Sequence, residues 1–164
     1  NRRVIPLEDM GRKIQVASDA RSSSDFLIIA RTDSRTGLGL DEAIRRGDAY
    51  RKAGADVVFI ESPESEAEMQ TVSERIDAPL FANMVNGGRT PLLSADRLKE
   101  LGYAIAIHPA LGFLSVGAAL DKAYKDLAAN GITSPDIDLY SFAEFNKLLG
   151  FEDVWEFEKR YAEI

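Results

Sequence analysis

The stretch PLFANMVNGGRTPLLS, Pro79 to Ser94, joins a short apolar run to the start of a helix through a polar turn. PLFA is apolar throughout and short, as a strand buried on both faces is. It ends in Asn83, and the breaker-rich loop Asn86-Gly87-Gly88-Arg89-Thr90-Pro91 follows. Ser94 then opens a helix with Leu98 and Leu101 turned inward and Gly102 at its end. Such a strand-loop-helix unit belongs to a parallel α/β sheet, and here it delivers an amide at the end of its strand.

The unit repeats along the chain. FLIIA (Phe26–Ala30), VVFI (Val57–Ile60) and AIAI (Ala104–Ile107) are also short and apolar. Helical spacing places Ala43, Ile44, Gly47 and Tyr50 on one face of a helix over Asp41–Ala53, which Gly54 stops. Ser65-Glu66-Ala67-Glu68 has the pattern of a capping box, ahead of a face formed by Met69, Val72 and Ile76. A longer helix is expected over Ala110–Asn130. An opening helix over Pro6–Ala20 carries Leu7, Met10, Ile14 and Ala17 on one stripe. The order is one helix, four strand-helix units and a tail. Two closures fit it, an open doubly wound sheet or a (β/α)8 barrel, of which four strands are half.

After Gly131 the composition changes, so the expected division is 1–131 as the strand-helix region and 132–164 as a helical extension. ITSPDIDLYS reads as a linker and Ser141-Phe142-Ala143-Glu144 as a second capping box. The extension is dense in large apolar residues, among them Phe142, Phe145, Phe151, Trp155, Phe157 and Tyr161. Such a surface packs on another subunit, on the rest of a barrel, or back on its own chain.

Apolar residues make up 45% and charged residues 29% of the chain, as in ordinary globular domains. A net charge of −7 opposes nucleic-acid binding. No apolar run reaches the ~18 residues that span a bilayer, so no membrane partner is expected. The absence of cysteine excludes disulfides, thiolate zinc sites and a cysteine nucleophile within the chain, and a cytoplasmic setting is expected. Asn1-Arg2-Arg3 lacks an initiating methionine and reads as an internal start.

In parallel α/β folds chemistry gathers at the C-terminal ends of the strands. The four strands deliver Arg31-Thr32-Asp33, Glu61-Ser62, Asn83 and His108-Pro109 in turn. Four polar endings in succession point to a binding site. Arg31 offers a planar fork of donors to a carboxylate or an enolate oxygen, or it neutralises Asp33 or Glu61. Glu61 is a site carboxylate or the structural partner of Arg31. Asn83 binds a ligand or caps a turn. His108, the one histidine, is a general base or a structural residue. Gly87-Gly88 is a plain turn or backbone held close to a ligand, and no nucleotide-binding or nucleophile-elbow motif is present. Asp33 and Glu61 supply one carboxylate per strand end, short of a magnesium site.

LIIARTDS, AYRKAGADVVFIES, APLFANMVNGGRTPLLSADRLKELGY and IAIHP together resemble the isocitrate lyase/phosphoenolpyruvate mutase superfamily, from about Val4 to the end of the chain. The resemblance is nearest the branch of 2-methylisocitrate lyase, dimethylmalate lyase, oxaloacetate decarboxylase and carboxyphosphonoenolpyruvate mutase. It implies a (β/α)8 TIM-type barrel of which this chain is the C-terminal half, strands five to eight, plus C-terminal helices. It further implies an Mg2+-dependent lyase that cleaves a C–C bond of a 2-hydroxy di- or tricarboxylate and releases pyruvate or an analogue through an enolate. Oxaloacetate decarboxylation, phosphonate rearrangement and a non-catalytic assembly subunit are the alternatives. By the same resemblance Arg31 binds a substrate carboxylate and stabilises the enolate, Glu61 is the glutamate of the sixth strand, and Asn83 holds a substrate carboxylate. His108 stands where many relatives have tyrosine. The Mg2+ ligands and the mobile lid belong to the preceding half, so no metal ligand is expected in this chain. The partners implied are a small carboxylate substrate and further copies of the chain, in a dimer or tetramer.

Overall fold

Alternating side chains give each strand two faces, and in this protein the faces have different fates. The structure, a computed structural model, describes residues 3–162; the Asn1-Arg2 start and Glu163-Ile164 lie outside them. Strands β1 (Ile29–Thr32), β2 (Val57–Ile60), β3 (Leu80–Asn83) and β4 (Tyr103–Ile107) form one parallel sheet in the order β1-β2-β3-β4. The order does not reverse among these four strands, which agrees with the winding of a strand-helix barrel. Around the sheet run α1 (Leu7–Ala20), α2 (Ser34–Leu38), α3 (Leu40–Lys52), α4 (Glu66–Arg75) and α5 (Ala95–Glu100).

One sheet face is covered by helices. Val58, Ile60, Leu80, Ala82 and Tyr103 pack there with Ala43 and Ile44 of α3, Met69 and Val72 of α4, and Leu98 of α5. Burial pushes the Tyr103 phenol above its ordinary pKa. The other face holds a small cluster, Val57, Phe59, Phe81 and Ile105, with the Phe59 and Phe81 rings 4.7 Å apart. Its flanks on the edge strands are open: Ile29 is 45% and Ile107 37% exposed.

Three elements differ from the sequence reading. β1 starts at Ile29, not Phe26, and Phe26 and Leu27 are exposed. The Ile28 N–H donates to the Asp56 carboxylate at 2.8 Å, and Arg21 holds that carboxylate at 2.6 Å. A side-chain acceptor therefore takes the Ile28 N–H, while the Ile28 carbonyl accepts from the Asp56 and Val57 N–H groups at 2.9 and 3.2 Å. On α1, Leu7, Met10 and Ile14 face inward as expected, but Ala17 is exposed. Ser18 continues the stripe, because Gly54 approaches so closely that a Cβ there would lie 2.7 Å from the Ser18 Oγ. At α4, Ser65 caps the Glu68 N–H at 3.1 Å, but the Glu68 carboxylate accepts from the Glu64 N–H and pairs with Arg35. Half of the capping box is thereby diverted to a tertiary contact.

The chain divides into two compact units between Phe113 and Leu114. The composition change after Gly131 marks the end of α6 (Leu111–Asn130), where Gly131 has φ +69°. In the second unit α7 (Phe142–Leu148) begins with a complete capping box between Ser141 and Glu144, and α8 (Phe151–Tyr161) follows. Rings pair within it, Tyr140 with Phe145 and Phe157 with Tyr161, yet the large apolar side chains are exposed, Phe142 by 90%. No helix among the described residues is long and apolar enough to cross a membrane.

Gly47 shows how tightly the covered face is packed. A Cβ there would lie 2.7 Å from the Ile76 Cδ1 and 3.0 Å from the Val58 Cγ1. Gly47→Ala is expected to lower stability by about 1–3 kcal/mol, despite the better helix propensity of alanine. A urea midpoint unchanged by this substitution would show that the α3–sheet contact is looser than described.

Candidate functional site

The face without helices ends in the polar residues. Arg31 pairs in register with Phe59, and Asn83 with Ile107, so the pleat sends Arg31, Phe59, Glu61 and Asn83 to the same side. The turn after β1 is fixed from behind: the buried Thr32 hydroxyl lies 2.9 Å from the Ser34 hydroxyl and accepts from the Ser34 N–H. Asp33 precedes α2 but makes no side-chain cap. Its carboxylate instead takes two bonds from Arg31, Nε at 3.0 Å and a terminal nitrogen at 2.8 Å.

This fork-on-fork pair holds the guanidinium flat. Its carbon lies 5.0 Å from the Phe59 ring centroid, and its other terminal nitrogen stands 3.6 Å from Glu61. The hydrogen bonds that it donates to Asp33, against a smaller cost of burial and with help from the Glu61 charge, raise the Arg31 pKa. The group is a fixed cation with N–H donors beyond the two given to Asp33.

Glu61 is buried at the end of β2, and its backbone N–H donates to the Thr32 carbonyl at 3.0 Å. Its carboxylate accepts from the Ser62 hydroxyl at 3.2 Å and from the Asn83 amide at 3.4 Å. Ser62 has φ +62°, alone among the non-glycine residues described in the left-handed region, and Pro63 follows it. Backbone strain of this kind is held by its surroundings and concentrates at functional sites. The Asn83 Oδ1 is buried and has no hydrogen-bond partner. A buried orphan acceptor carries a desolvation cost that a ligand donor would relieve.

Arg31, Glu61, Ser62 and Asn83 line a cavity of about 380 Å³ together with Val85, Gly88, Arg89 and Thr90 of the loop after β3. The loop that brings those four turns tightly. Gly87 has φ +75°, the Gly88 N–H donates to the Val85 carbonyl at 2.9 Å, and a Gly88 Cβ would lie 3.0 Å from that carbonyl oxygen. Three of the four candidate residues thus meet at one cavity. His108 does not line it and is exposed, its carbonyl accepting from the Leu111 N–H at 3.3 Å. Arg89 also lines the cavity, and its place in the loop that follows a strand end is the signal for it in the sequence.

Magnesium prefers six oxygen ligands. Among the described residues no group of three or more acidic, histidine or cysteine side chains could hold a metal, and both carboxylates at the strand ends engage Arg31. These residues do not build a magnesium site by themselves.

A four-stranded parallel sheet wound in one direction, with charged residues gathered at its strand ends, defines an α/β protein with a polar site. The sequence model of the phosphoenolpyruvate phosphomutase family matches residues 1–128, and the chain belongs to that family. It is 45% identical to 2,3-dimethylmalate lyase of Eubacterium barkeri, over 98% of this chain and 56% of that protein. It is 38% identical to 2-methylisocitrate lyase of Aeropyrum pernix, over 98% of this chain and 51% of that protein. Among solved structures it superposes on 2,3-dimethylmalate lyase with a TM-score of 0.84 at 31% identity, covering 96% of this chain and 53% of that one. Oxaloacetate acetylhydrolase with bound oxalate gives 0.86 at 28% identity, covering 96% and 55%. The chain spans about half the length of the curated relatives it matches.

Proposed function

We propose that this chain supplies strands five to eight of a (β/α)8 barrel, and that the barrel is a lyase acting on a 2-hydroxy di- or tricarboxylate of the dimethylmalate or 2-methylisocitrate type. The observation that carries this reading is the clamped Arg31 beside the unsatisfied Asn83 Oδ1 in one cavity. The open sheet face and the two unpaired sheet edges support the half-barrel part of it, since uncovered edges invite further strands.

In the cleavage the 2-hydroxyl loses its proton and the bond between C2 and C3 breaks. C2 becomes the keto carbon of pyruvate. The electron pair passes to C3 and its carboxyl group as an enolate, which is then protonated. Arg31 holds a substrate carboxylate and faces the developing charge with donors already oriented by Asp33, so little reorganisation is needed. Glu61 fixes Arg31 and the Asn83 amide from the middle of the sheet. Asn83 is left to place a ligand through its free acceptor. On this reading the ligands of Mg2+ lie outside this chain, and the ion would supply positive charge toward the enolate. A cleavage of oxaloacetate is the second reading, favoured by the likeness to oxaloacetate acetylhydrolase; a substrate panel separates the two.

Arg31→Ala in the active enzyme is expected to lower kcat by ~10²-fold or more, as loss of an oriented oxyanion donor does. A loss under threefold would remove Arg31 from the chemistry. The exposed α7 and α8 side chains support a homo-oligomeric assembly through those helices. Truncation before Ser141 is expected to reduce the sedimenting mass to that of a smaller assembly, and an unchanged oligomer would contradict this interface.

A further inference from the structure

The loop after β3 adds to the cavity lining a cation whose role the proposed chemistry leaves open. Arg31 already has Asp33 in a two-bond pair and Glu61 at 3.6 Å. Arg89 is held differently. Its nearest carboxylate, Glu64, lies 3.8 Å away and is bound at 2.6 Å by Arg35, which also forks onto Glu68. Its other contact is the neutral Thr36 hydroxyl at 3.2 Å, and the Arg89 side chain is 57% exposed. A guanidinium without a close carboxylate of its own, lining the same cavity as Arg31, retains donors for a second anion.

The backbone holds that cation in the cavity lining. Gly87 at φ +75° and the bond from the Gly88 N–H to the Val85 carbonyl close the turn just before Arg89, and Thr90-Pro91 stiffens the exit. Arg35 fixes Glu64 and Glu68, so the surface against which Arg89 rests is itself braced. From this arrangement we infer that Arg89 is a specificity-determining residue, which pairs with a second carboxylate of the substrate while Arg31 takes the first. The inference rests on the reading of the cavity as a carboxylate site. It states further that dicarboxylates are selected over monocarboxylates by this loop.

Malate and lactate are 2-hydroxy acids that differ in whether they carry a second carboxylate, so they isolate the effect. Isothermal titration of each is made at one ionic strength into the full chain and its Arg89→Met, Arg89→Gln, Arg89→Lys and Arg31→Ala variants. Both neutral Arg89 variants are expected to weaken malate by about tenfold or more, the scale of a lost charge-assisted bond, and to leave lactate within twofold. Arg89→Lys is expected to keep most of the preference, and Arg31→Ala to weaken both ligands. If the neutral Arg89 variants weaken both ligands alike, or neither, the inference fails while the Arg31 result still stands. If the unaltered chain binds neither acid, or Arg31→Ala leaves both affinities unchanged, the carboxylate-site reading fails and this inference falls with it.

Discussion

The pleat of the sheet is the constraint on which the rest of the structure depends. Side chains of a strand alternate between faces, so committing Val58, Ile60, Leu80 and Ala82 to the helices commits Phe59, Phe81 and their neighbours to the opposite side. Register then carries this across the sheet: Arg31 lies beside Phe59, and Asn83 beside Ile107. A one-residue slip in any strand would bury the polar endings under the helices and expose the core. The site is thus a consequence of core packing as much as of its own residues.

Around that frame the charges are arranged in two braced groups. Asp33 and Glu61 hold Arg31 from the first two strand ends, with the Phe59 ring beneath the guanidinium. Glu64 and Glu68 hold Arg35 further out, and Glu68 gives up half of its capping role to do so. The Glu68 carboxyl is lowered in pKa first by the Arg35 hydrogen bond. Exposed pairs of this kind add little stability, but shared partners restrict where each side chain can point. Orientation, more than binding strength, is what a site that stabilises developing charge requires.

Much of this was legible in the sequence, and for a physical reason. Strands buried on both faces read as unbroken apolar runs, so VVFI and PLFA announce both the strands and their polar ends, Glu61 and Asn83. Where burial is one-sided the reading slips. FLIIA is apolar, but Asp56 captures the Ile28 N–H and the strand begins three residues late. Ala17 fits helical spacing as well as Ser18 does, and only the approach of Gly54 distinguishes them. Ser65 and Glu68 match a capping box, yet the pattern holds no trace of Arg35, which lies far away in sequence and near in space. His108 ends a strand as the others do but stays outside the cavity, since strand-end position does not determine which way a loop carries a side chain. The strain at Ser62 and the orphaned Asn83 oxygen are tertiary facts that no spacing encodes.

The central claim is that the Arg31 guanidinium and the Asn83 amide hold one ligand, Arg31 through a carboxylate and the Asn83 acceptor through a hydroxyl. Nitrogen-15 NMR of the arginine Nε–H and asparagine side-chain NH2 resonances, followed through a titration with malate, tests it directly. The account predicts saturable shifts of the Arg31 and Asn83 signals with a single affinity, while the Arg35 signal stays in place. Arg31 and Asn83 signals that remain still while malate binds elsewhere, or no saturation at all, would contradict it.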